Sequence, residues 1–93
     1  MTKLEIILEQ YSDEEFLSAD GFDNALIGVA YDKTTSVSRL VYSRSKCLDI
    51  LMERDGMNFE EAEEFFDFNV EGAYVGEKTP IWVNDEMFDV LNN

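Results

Sequence analysis

Residues 25–31 read Ala25-Leu26-Ile27-Gly28-Val29-Ala30-Tyr31, an unbroken run without a charged side chain. The run is shorter than the ~10 residues a buried helix needs, and it is rich in β-branched and aromatic side chains, so it predicts a strand. It is apolar on both faces, the pattern of a central strand covered on at least one side. A strand needs a neighbour. The polar stretch over residues 32–36 predicts a turn, after which Val37, Arg39 and Val41 alternate with Ser38, Leu40 and Tyr42. The two runs make a hairpin with a loop longer than the tight two-residue kind.

Helical signals flank the hairpin. Thr2-Lys3-Leu4-Glu5 is a capping box, followed by Leu4, Ile7, Leu8 and Tyr11 at helical spacing, and predicts a helix over residues 3–11; the alternation Leu4, Ile6, Leu8 keeps a strand as the rival. Ser12-Asp13-Glu14-Glu15 repeats the box and predicts a brief helical turn closed by Asp20-Gly21. Residues 44–54 offer Cys47, Leu48, Ile50, Leu51 and Met52 as a buried stripe, ended by Gly56. Asn58 and Glu61 then form a start signal for a second long helix, with Phe59, Ala62, Phe66 and Val70 buried, Phe65 widening that face and Gly72 at its end. Pro80 admits only a short edge strand, Ile81-Trp82-Val83, and Asn84 caps a last helical turn through Met87 and Leu91. The fold class is therefore α+β, a small antiparallel sheet of about three strands with helices packed on one face.

A chain of 93 residues builds one hydrophobic core, so residues 1–93 are expected to form a single domain. Its 45% apolar and 13% aromatic content is that of a globule, not of an acidic disordered tail. Cys47 stands alone, which excludes an internal disulfide. The run Ile6-Ile7-Leu8 is bounded by glutamates and is neither a signal-peptide core nor a span of roughly 20 apolar residues, so a cytoplasmic location is expected. The net charge of −14 repels nucleic acid and anionic membranes and attracts basic proteins.

Catalytic chemistry finds few of its parts. Without histidine there is no Ser-His or Cys-His couple and no ordinary zinc site. The glycines at 21, 28, 56, 72 and 76 are scattered singly and form no phosphate-binding loop. Asp20-Gly21-Phe22-Asp23 and Asp55-Gly56-Met57-Asn58 put the glycine second, where a calcium loop needs it sixth. Neither an enzyme nor a cofactor is expected. Cys47 reads as a small core residue.

The candidate site is acidic. Asp55, Glu60, Glu61, Glu63, Glu64, Asp67, Glu71 and Glu77 occupy residues 55–77, where no lysine or arginine occurs. On an unbroken α-helix Glu60, Glu64, Asp67 and Glu71 form one face, and like charges at that spacing cost about 0.2–0.5 kcal/mol per pair. One reading is a solvated face that keeps a marginal domain soluble. The other is a carboxylate row that engages a basic protein as a phosphate backbone would. Tyr74 and Trp82 bracket a loop and make a second candidate surface, either as core residues or as interface anchors for a homo-oligomer. Five of the basic residues (Lys33, Arg39, Arg44, Lys46 and Arg54) fall between positions 33 and 54, a charge asymmetry that also permits head-to-tail association.

The stretch from residue 21 to residue 83 resembles a group of small tailed-bacteriophage proteins. The resemblance is carried by residues 25–31, by Cys47-Leu48, by Met57-Asn58-Phe59-Glu60-Glu61-Ala62, by Phe68-Asn69-Val70-Glu71-Gly72-Ala73-Tyr74-Val75-Gly76 and by Thr79-Pro80. It implies a viral product in a bacterial cytoplasm and, with the acidic face, a binding protein whose partner is a basic host protein, possible targets being nucleic-acid-binding ones. It brings no site residue of its own.

Overall fold

Thr2 opens the first helix by a reciprocal cap: its hydroxyl accepts from the Glu5 amide at 3.1 Å, and Glu5 Oε1 accepts from the Thr2 amide at 3.2 Å. The computed structural model describes residues 1–73 and 75–85. Helix α1 (Lys3–Gln10) turns Leu4 and Ile7 toward the core and leaves Ile6 and Leu8 outside. The second capping box is not used. Residues 11–13 form a turn and 14–19 run without regular structure. There the chain is held by long-range contacts instead: the Ala19 amide donates to the buried Tyr42 hydroxyl at 2.8 Å, and Phe16 and Ala19 pack against the core. Tertiary contacts of this kind routinely override a local helix signal. A single 3₁₀ turn (Asp23–Ala25) then leads into the sheet.

Strands β1 (Leu26–Asp32) and β2 (Val37–Ser43) pair antiparallel, Val29 opposite Leu40 and Tyr31 opposite Ser38, with a register shift between Leu26 and Gly28. Strand β3 (Ile81–Val83) adds to the other side of β2, Trp82 opposite Tyr42. The expected α+β architecture is present, and its three-stranded sheet is mixed. β3 runs parallel to β2, and the chain makes the long crossover that a parallel pair requires through the two helices between them. The strand order is β1-β2-β3, so β2 is central and the apolar β1 lies at an edge, contrary to the expectation that β1 is the central strand. Its apolar residues divide accordingly: Leu26 is buried, while Ile27 and Tyr31 are exposed.

Helices cover one face. On β2 that face carries Ser38, Leu40 and Tyr42, all buried. Helix α2 (Arg44–Asp55) sets Cys47, Leu48 and Leu51 against it. Gly56 ends α2 at φ 69°, in the left-handed region that glycine enters without penalty. Asn58 and Glu61 cap helix α3 (Phe59–Phe65) reciprocally, at 2.8 and 3.1 Å. Ala62 and Phe66 complete the core.

Two expectations for this second long helix are corrected. It does not continue as α to Val70: from Phe66 to Glu71 it is a π-helix, with bonds from i to i+5 and hence a wider turn. Gly72 closes that turn, since a Cβ there would lie 3.0 Å from the Asp67 carbonyl oxygen. Nor do the phenylalanines share a buried face. Phe66 is fully enclosed, whereas Phe59, Phe65 and Phe68 are exposed. The predicted turn through Met87 and Leu91 lies outside the described residues.

The end of β3 is clasped to the start of α2. The buried Ser43 hydroxyl accepts from the Lys46 amide at 3.2 Å and donates to Asp85 Oδ2 at 2.5 Å, while Asp85 Oδ1 accepts from the Ser45 amide at 3.1 Å. A carboxylate there satisfies an orphan amide and faces the positive end of the helix dipole. Burial pushes the Asp85 carboxyl up, but Ser43 and Ser45 hold it below its ordinary 3.8. A lowered carboxyl contributes stability above its unfolded pKa of about 3.9 and loses it as the pH falls through the folded value. The stability advantage of the wild type over Asp85→Asn should therefore shrink as pH drops below about 4, measured from urea midpoints of both proteins across that range. Leu51→Ala, emptying a fully buried site, should cost about 2–5 kcal/mol in the same assay.

Candidate functional site

Helix α3 and the π-helix after it present the acidic surface. Glu60, Glu61, Glu64, Asp67 and Glu71 are all exposed, and Glu63 is half-buried. The sequence-level face of Glu60, Glu64, Asp67 and Glu71 is not one straight row. A π turn rotates less per residue than an α turn, so Asp67 and Glu71 fall progressively behind the line that Glu60 and Glu64 begin.

The row also has a cation beside it. Arg44, the first residue of α2, reaches across to Asp67 Oδ1 at 3.4 Å and Glu63 Oε2 at 3.5 Å. Its guanidinium lies over the Phe66 ring, 5.5 Å from the centroid. Sequence spacing gave no sign of this pairing, because Arg44 and Asp67 are brought together only by the packing of α2 on α3. Asp67 is thus partly neutralised. Among the described residues Glu60, Glu64 and Glu71 have no ion pair, and Glu61 spends one carboxylate oxygen on the Asn58 amide.

Beside the acids lies an apolar feature: Phe65, expected on the buried face, lies at the surface together with Phe68, for which no burial was expected. Phe68 is 77% exposed and Phe65 is 37% exposed. With Met57 and Asn69 they line a cleft of about 360 Å³ whose remaining walls are Glu61 and Glu64. Helical spacing already sets Phe68 opposite the buried Phe66 and beside Glu61 and Glu64, a placement that the sequence analysis did not draw out.

The second candidate surface resolves differently. Tyr74 lies outside the described residues. Trp82 is half-buried: its ring sits 5.1 Å from Tyr42 and 5.3 Å from Phe66, edge-on to the latter. Its exposed margin joins Leu17, Phe22, Val70 and Pro80 around an apolar cleft of about 370 Å³, while its Nε1 is buried without a hydrogen-bond partner among the described residues. The ring is chiefly a packing element between sheet and helices.

Cys47 is fully buried, and burial together with Asp85 pushes its thiol up to about 12, which keeps it protonated and unreactive near neutral pH. No cluster of metal-ligating side chains occurs among the described residues. No described helix is long and apolar enough to cross a membrane. No protein-family model, no curated protein and no solved structure matches this chain.

The division between core and surface phenylalanines has a direct test. Phe68→Ser should change stability by less than about 0.5 kcal/mol, whereas Phe66→Ala should cost about 3–5 kcal/mol, both read from chemical denaturation.

Proposed function

We propose that this chain is a non-enzymatic binding protein whose acidic α3 face engages a basic protein. The observation that carries the reading is the concentration of uncompensated charge on one exposed segment: Glu60, Glu64 and Glu71 have no cationic neighbour among the described ion pairs. Like charges at helical spacing are unfavourable in the free protein, and a basic partner relieves them on binding. The net charge of −14 steers such a partner and repels nucleic acid. The bacteriophage resemblance supports a more specific version, an accessory protein acting in a host cytoplasm on a nucleic-acid-binding host protein.

Glu60→Gln, Glu64→Gln and Glu71→Gln combined should reduce capture of a basic partner by at least about tenfold while the melting curve stays cooperative. Capture by the wild type should also weaken as salt rises, because the attraction is screened over about 10 Å at 0.1 M. A folded triple variant that binds with unchanged affinity and salt dependence removes the reading.

Self-association is the second reading, and the feature favouring it is the free edge of β1. That strand pairs on one side only among the described residues, and its Ile27 and Tyr31 are 47% and 57% exposed. An apolar edge strand is a template for another strand. Sedimentation over a range of protein concentrations distinguishes it: a mass that does not change with concentration excludes it.

A further inference from the structure

The cleft on α3 narrows the chemistry of the partner. We infer that the groove formed by Met57, Phe65, Phe68, Glu61 and Glu64 receives a cationic amphipathic segment of the partner protein, in which a bulky apolar side chain lies between lysines or arginines. The inference rests on the acidic-face reading above and adds to it that the contact has an apolar centre.

Three observations lead there. Phe68 is 77% exposed in a chain whose other π-helix aromatic, Phe66, is wholly enclosed. Phe68 converges with Phe65 and Met57 on a concave surface of about 360 Å³, the form of a pocket for an anchor residue. The walls that rise beside these rings are carboxylates, Glu61 and Glu64.

Each alternative occupant meets a physical obstacle. A purely apolar ligand would draw both carboxylates out of water without pairing them, and that is costly. A phosphate-binding groove, polar and basic throughout, would leave Phe65 and Phe68 against polar walls. A second copy docked through the same face would set acid against acid, since residues 55–77 contain no lysine or arginine. A cationic amphipathic segment meets every part: its apolar residue covers Phe68, its cations pair with Glu61 and Glu64, and they can also lie over the exposed aromatic faces.

The test uses the full chain and two synthetic peptides of equal length and equal lysine content. One carries leucine at helical spacing, and the other carries serine at those positions. By fluorescence anisotropy the leucine peptide should bind at least about tenfold tighter than the serine peptide. Phe68→Ser should erase that preference, Glu61→Gln with Glu64→Gln should weaken both peptides, and Ile27→Ser, an exposed apolar change on β1, should alter neither. Equal affinity for the two peptides overturns the apolar centre and leaves the acidic-face reading standing. A preference that survives Phe68→Ser, or falls equally in Ile27→Ser, overturns the groove. Binding of neither peptide overturns the groove and the acidic-face reading together.

Discussion

Tyr42 is the residue on which the rest of the molecule converges. It lies on the central strand with its whole side chain out of solvent, and its ring stacks on Trp82 of β3, which in turn meets Phe66 edge-on. A buried phenol requires a hydrogen-bond partner, and the one it finds is the Ala19 amide, at the end of an irregular segment. One side chain therefore fixes the sheet, the π-helix and the path of the N-terminal region together. Burial pushes its hydroxyl pKa up, so it stays neutral across the physiological range.

Small domains have little surplus stability, and this one carries a net charge of −14 against itself. Its fastenings compensate locally. Arg54 donates to the Gly21 carbonyl at 2.9 Å, pairs with Asp55 and lies over Phe22, tying the end of α2 to the entry of β1. Arg44 does the equivalent work at the opposite end of α2, where it meets the acids of α3. Two of the few cations are thus placed where helices meet other elements. Glu60, Glu64 and Glu71, like most of the other acids, have no such neighbour among the described ion pairs, and on α3 and the π-helix they fall close together.

Local chemistry made much of the fold legible. The capping boxes at Thr2 and Asn58, the left-handed stop at Gly56, the hairpin and the short strand after Pro80 each follow from residues a few positions apart. What escaped depends on packing between distant segments. The Ser12 box is an adequate helix start that yields to the pull of Tyr42 on Ala19, and the edge position of β1 depends on which side of β2 receives β3. The candidate face was half legible. Its charge is written in the sequence, but the Arg44 pairing and the bend in the acidic row are consequences of how α2 packs on α3 and of the π turn.

A π turn holds one residue more than the α turn it replaces, with both flanks kept in place. Such a turn is what a helix becomes when a single residue is inserted and neither end is free to rotate. Here Ala62 and Phe66 remain in the core on one side and Gly72 remains closed against the Asp67 carbonyl on the other. The surplus is accommodated between them, on the solvent side of the segment. The consequence is tolerance: a segment that already holds a wide turn between two fixed flanks can take up a one-residue change in length there without refolding the core around it.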